Sequence, residues 1–281
     1  MDCEEDTAMG HYAIKDVSEM TGVNAVTLRA WQRRYGLLNP MRTEKGHRLY
    51  SQDDIDTIND ILGWLEKGVA IGKVRPLLDG HSPMSITPVT GTVSDSQKAA
   101  DQLLIALNDL DAIALDKRLN QLMKEYPVEL FEKQIASAVD SAVNHSDNPL
   151  ANIQAAMWRS VLSERCLTLV AGNRKRNKKT GMLLSFDPIP SYRVWLKAYA
   201  LANDSYNVTI LTSMSGKLTA LMALIKCWDN KEIFLDGDNK LDRSVIAQLQ
   251  PFYTELNCTI TLSGSIASIH ADIREGQDEP T

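Results

Sequence analysis

The chain has 281 residues, 44% of them hydrophobic and 23% charged, enough to bury a sizeable core and to form two or three domains. No apolar run approaches the roughly 20 residues that cross a bilayer, and the acidic start from Met1 to Asp6 lacks the basic-then-apolar order of a secretory leader, so a cytoplasmic protein with no membrane partner is expected. A net charge of −6 argues against a nucleic-acid partner until its distribution is read. Between His11 and Tyr50, Lys15, Arg29, Arg33, Arg34, Arg42, Lys45 and Arg48 face only Asp16, Glu19 and Glu44, a local positive excess in an acidic chain.

In chain order, Ile14, Val17 and Met20 have the spacing of one apolar helix face, and Gly22 ends that helix. A second helix runs from Asn24, a good N-cap, to Tyr35, with Val26, Leu28 and Trp31 inward and Thr27, Arg29, Arg33 and Arg34 outward; Gly36 stops it. Pro40 to Tyr50 centres on Gly46 between basic residues and predicts a hairpin or wing. Ser51, with Asp54 three residues on, caps a further helix whose buried stripe is Ile55, Ile58, Ile61 and Leu62, and a short helix follows over Ile71 to Leu78.

Residues 80–95, rich in Gly, Pro, Ser and Thr, read as a linker. Leu103, Leu107 and Leu110, then Leu115, Leu119 and Leu122, predict a helical hairpin turning at Asn108 to Asp111. Ile135, Val139 and Val143 mark a third helix, and Ile153, Met157 and Val161 a fourth, which completes a four-helix bundle ending near Gly172. From Met182 the pattern becomes MLLSF, helix, VTILT, helix, EIFL, helix, CTITL, the alternation of an open parallel sheet covered by helices. The fold class is multidomain α and α/β: an N-terminal domain of helices and a hairpin over 10–79, linker over 80–95, bundle over 96–179, α/β domain over 180–273 and disordered tail over 274–281.

Other motifs exclude more than they assign. The cysteines Cys3, Cys166, Cys227 and Cys258 have no paired spacing, so buried reduced thiols are expected rather than zinc or disulfides. No Gly-rich phosphate loop follows a strand and no catalytic constellation is visible, so an enzyme is not expected. The basic cluster from Arg174 to Lys179 reads as a solvated loop before an anion site. Asp187, Asp236 and Asp238 fall near strand ends, where a cation is a minor alternative to ordinary turn aspartates.

The stretch TLRAWQRRYGLLNPMRTEKGHRLY, Thr27 to Tyr50, resembles the recognition helix and wing of the MerR family of transcription regulators. The resemblance implies a winged helix-turn-helix with Arg29, Arg42, His47 and Arg48 at DNA-contacting positions and Asn24, Val26 and Thr27 at the exposed start of the recognition helix. Arg33 and Lys45 join the candidates, open between a base contact and a solvated face with at most a phosphate contact, while Tyr50 is open between contact and core. The family also implies a homodimer on double-stranded DNA that distorts a promoter for RNA polymerase.

The order of DNA-binding domain, bundle and α/β domain is similar to the cobalamin photoreceptor regulators of that family. Their Asp-x-His-x-x-Gly loop becomes Asp187-Pro188-Ile189-Pro190-Ser191-Tyr192, with isoleucine in place of the cobalt ligand, and Trp158 is followed by Thr168 and Leu169 in place of a Glu-His pair. No cofactor is therefore expected. The segment RKRNKKTGMLLSFDPIPSYRVW, Arg174 to Trp195, resembles the cobalamin-free branch that controls curli, biofilm and light-responsive genes. That resemblance implies a protein partner on the C-terminal half; the alternative is a regulator sensing a nucleotide or cobalamin-like ligand between bundle and sheet.

Overall fold

The computed structural model describes residues 11–80, 94–144, 149–215, 218–228 and 232–270. The expected tail over 274–281 and all but the ends of the expected linker lie outside them. The chain divides into two compact units, residues 1–161 and 162–281.

In the first unit, β1 (Tyr12–Ala13) leads into α1 (Ile14–Thr21), which Gly22 closes in the left-handed conformation at φ 70°. The DNA-reading candidate α2 (Ala25–Ala30) starts at Asn24, whose side chain accepts from the Val26 and Thr27 N–H groups, and widens into a π turn over Trp31–Tyr35. Gly36, at φ 62°, ends it. Strands β2 (Met41–Arg42) and β3 (Arg48–Tyr50) form an antiparallel hairpin in a sheet of order β1-β3-β2. Helix α3 (Gln52–Glu66) begins with the reciprocal Ser51 and Asp54 cap that the sequence predicts. A 3-10 turn (Ile71–Lys73) then runs into α4 (Val74–Leu78). Val17, Leu28, Trp31, Ile58, Ile61 and Leu65 are fully buried.

Helices α5 (Asp95–Asn108) and α6 (Ala112–Glu125) make the expected hairpin, followed by α7 (Val128–Phe131), a π turn over Glu132–Ala136 and α8 (Ser137–Asn144). This part is bonded to α3 and its sequel. The Gly68 carbonyl accepts from the Asp95 and Ser96 N–H groups, and Gln134 Nε2 donates to the Leu65 and Glu66 carbonyls at 2.9 and 3.1 Å. The Asp95 carboxylate takes Lys73 Nζ at 2.8 Å and the Ala70 N–H at 3.2 Å. Burial pushes its pKa up, but these bonds and Lys98 together hold it below the ordinary carboxylate value.

Four predicted core positions are exposed: Met20, Val26, Leu110 and Ile153. Met20 lies in the last turn of α1, where only Val17 reaches the interior, and Leu110 sits in the interhelical turn at φ 52°. Ile153 lies in the first turn of α9 (Ala151–Asn173), the helix within which the division between the units falls.

The second unit carries β4 (Lys179–Leu184), α10 (Tyr192–Asn203), β5 (Tyr206–Leu211), α11 (Thr219–Ile225), β6 (Glu232–Asp236), α12 (Arg243–Thr254), β7 (Thr259–Ser263) and α13 (Ile266–Ile269). The four strands are parallel in the order β5-β4-β6-β7. Alternation puts Met182 and Leu184, Ile233 and Leu235, and Ile260 and Leu262 on one face, packed in a single core with Leu249 and Phe252 of α12. On the other face Gly181 leaves room for the edge-to-face pair of Tyr206 and Phe234, because a Cβ there would come within 3.0 Å of the tyrosine ring.

Candidate nucleic-acid interface

The hairpin turn between β2 and β3 is built by local bonds. The Thr43 N–H donates to the His47 carbonyl at 2.9 Å, the Gly46 N–H to the Thr43 carbonyl at 2.8 Å, and the His47 N–H to Thr43 Oγ1 at 3.0 Å. Gly46 sits at φ 81°, a conformation that L side chains resist. This turn carries Lys45 and His47 outward and sets Arg42 directly opposite Arg48 across the two strands.

The hairpin borders an open groove of about 1090 Å³ together with β1, the start of α1 and Arg29 of α2, and its walls include Arg42, Lys45, His47 and Arg48 alongside Asp16 and Glu44. Arg42 Nη1 donates to the Gly46 carbonyl at 3.2 Å, and Arg48 Nε donates to Gln32 Oε1 at 2.7 Å, which ties the hairpin to the helix. Like charges opposed across a ladder destabilise an isolated hairpin. A polyanion seated in the groove reverses that sign.

The structure brings five of the ten sequence candidates together there. Val26, placed inward by its spacing, is instead 37% exposed, and Arg33 is also exposed; neither lines the groove. The other three are buried: Asn24 and Thr27 correct the reading of an exposed helix start, which Val26 alone keeps, and Tyr50, open between contact and core, lies in the core. Asn24, 6% exposed, uses its carbonyl oxygen to cap α2. Thr27 faces the interior, because on so short a helix the turn carrying Leu28 must supply the core. Tyr50 is wholly buried as the last residue of β3, and burial raises its hydroxyl pKa although Arg48 and Arg29 pull the other way.

Sequence reasoning missed two partners of this site. Gln32, which fixes Arg48, carries no charge or motif to mark it. Glu125 accepts at its carbonyl from Trp31 Nε1 at 2.8 Å and at Oε1 from the Tyr35 hydroxyl at 2.5 Å, over separations of 94 and 90 residues.

At the carboxyl edge of the parallel sheet the aspartates are engaged by their own loops. Asp187 accepts from the Asp238 and Asn239 N–H groups and from Asn239 Nδ2, at 2.8, 3.1 and 2.8 Å. Asp238 pairs with Arg193 at 3.2 Å, and Asp236 accepts from Ser263 Oγ at 2.7 Å. Among the described residues no group of three or more His, Cys, Asp or Glu is set to hold a metal. Ile189 is 69% exposed on the loop after β4 and has no lone pair to offer cobalt, so the residues of this loop do not fit a cobalamin. Among the described residues no helix is long and apolar enough to cross a membrane.

Comparison with known proteins returns a family and several regulators. The model of the MerR HTH family regulatory proteins matches residues 12–81. The HTH-type transcriptional regulator MlrA of Escherichia coli K12 is 27% identical over 228 residues, covering 79% of this chain and 90% of that protein. The protein of the same name from Salmonella typhimurium LT2 is 28% identical over 203 residues, 72% of this chain and 80% of its own length. The HTH-type transcriptional repressor CarH of Myxococcus xanthus is 39% identical over 67 residues, 24% of this chain and 22% of that protein.

Proposed function

Since the chain belongs to the MerR family of helix-turn-helix transcriptional regulators, we propose that it reads a specific double-stranded DNA site with α2 in the major groove and the β2–β3 hairpin as a wing along the backbone. Arg29 supplies the base-edge contact, and Arg42, Lys45, His47 and Arg48 supply phosphate contacts. The observation that carries this reading is the opposition of Arg42 and Arg48 on the wall of a groove shared with Arg29. A gel-shift titration tests it. Arg29→Ala costs about 1–3 kcal/mol of operator affinity and relaxes sequence preference, whereas Arg42→Ala weakens binding to all duplexes and lowers the salt slope by about one. Unchanged affinity and selectivity in Arg29→Ala defeats the groove contact.

The proposal extends to a homodimer on a pseudo-palindromic promoter site, distorting DNA that RNA polymerase then reads, with a protein partner acting through the C-terminal unit. What supports two-fold binding is that a single short reading helix covers one half-site, and a second copy doubles the contacts. Footprinting checks it: two protected half-sites with hyper-reactive bases between them are expected, and one undistorted half-site rejects it. For target genes we propose curli and biofilm control, following the resemblance of Arg174 to Trp195, with DNA pull-down across the host genome as the test.

A further inference from the structure

We infer that Glu125 is a positioning residue for operator recognition: through Trp31 and Tyr35 it holds the inner face of the DNA-reading helix, so that displacement of α6 moves Arg29 and Arg48 together. The inference rests on the DNA-binding role proposed above and adds to it the residue that sets how the reading helix is presented.

Glu125 is the last residue of α6 and only 6% exposed. Its carbonyl is one of the last-turn acceptors that a helix cannot satisfy internally, and the fully buried Trp31 indole fills it. Its carboxylate takes the Tyr35 hydroxyl, with Gln121 Nε2 donating to the same oxygen at 2.9 Å. A carboxylate at the negative end of a helix is placed against the helix dipole, and neither of these side-chain donors is charged. Stability alone favours a lysine or an apolar residue at such a position. Burial and the Glu125 bond both push the Tyr35 pKa up, so the hydroxyl stays protonated and donates at any physiological pH.

The contact reaches the DNA-facing side in one helical turn. Trp31 and Tyr35 open and close the π turn that continues α2, and single π turns concentrate at functional sites. Between them Gln32 holds Arg48 of the hairpin at 2.7 Å, and Arg29 lies on the same helix two residues before Trp31. Glu125, the π turn, Gln32 and Arg48 thus form one bonded path from the interior to the groove wall.

The test uses the full chain and a duplex selected by the wild-type protein from a random library, beside a scrambled duplex of equal length, titrated at several salt concentrations. Glu125→Ala and Tyr35→Phe are each expected to lower the ratio of selected to scrambled affinity about tenfold, leaving scrambled affinity and salt slope near wild type. The double variant loses no more than the worse single one, because both remove the same contact. Glu125→Gln keeps an oxygen acceptor and recovers the ratio to within about threefold. A wild-type ratio in Glu125→Ala, additive losses in the double variant, or a parallel fall in both affinities with the thermal midpoint overturns the inference, the last because it marks a merely structural role. Wild-type protein that binds no duplex rejects the DNA-binding reading itself, whereas wild-type binding with indifferent variants rejects only the role of Glu125.

Discussion

Asp236 closes β6 with its carboxylate buried, Oδ2 accepting from Ser263 and Oδ1 without a partner. Burial raises its pKa most; the Ser263 bond pulls it down and Asp238 pushes it up again, with a net rise. The folded state then binds a proton more readily than the unfolded chain. Stability from this group is full below the unfolded value of about 4 and is lost as pH rises through the higher folded value. Asp236→Asn should therefore raise the thermal midpoint at pH 7, with the advantage over wild type vanishing below about pH 4 in scans against pH. Asn24 gives a second expectation. Its oxygen caps two N–H groups, so Asn24→Ala should cost about 1 kcal/mol in denaturant unfolding while the folded fraction binds DNA as wild type does. The cap was legible because N-capping depends on a residue and its own next three neighbours. The inward placement of Thr27 was not, because which side of a six-residue helix is buried is decided by what packs on it.

Among elements, those written by local rules agree with the sequence. Ser51 and Asp54 start α3, Gly22 ends α1, and the strand-helix alternation after Met182 returns as four parallel strands. The π turns at Trp31–Tyr35 and Glu132–Ala136 leave no comparable trace, since one extra residue per turn changes the apolar spacing too little to read. Strands of two and three residues, as in the hairpin, take their register from the turn rather than from their own pattern. Gly46 is then the element's weak point. A Cβ there meets nothing within 4 Å, so Gly46→Ala introduces backbone strain of about 1–2 kcal/mol without a clash. The expected outcome is a hairpin less often closed and several-fold weaker binding to every duplex, measured by fluorescence anisotropy; wild-type affinity shows that the turn closes by other means.

For the whole molecule, thiol reactivity reports which surfaces the fold hides. Cys166 and Cys258 are buried and Cys227 is exposed, and burial pushes the Cys166 thiol well above its ordinary value. Iodoacetamide should label Cys227 in the native chain and reach Cys166 and Cys258 only after unfolding, read by peptide mass; native labelling of Cys166 contradicts the packing of α9. Composition and alternation sufficed to divide the chain into helical and α/β parts, because those signals repeat over many residues. The bonds from Trp31 and Tyr35 to Glu125 were invisible, because no local period connects residues 94 and 90 positions apart.

Those same bonds bear on protein engineering. A sensor built by grafting this DNA-reading segment onto a foreign receiver would be cut, by ordinary practice, in the Gly- and Pro-rich stretch after Asp79. That cut strips the Trp31 indole of its acceptor and the Tyr35 hydroxyl of its carboxylate, and lays bare an aromatic side chain that is now wholly enclosed. A chimera joined after Asn144 keeps α5 to α8 and carries its own clasp, so the fusion point, more than the choice of receiver, decides whether such a graft still recognises its site.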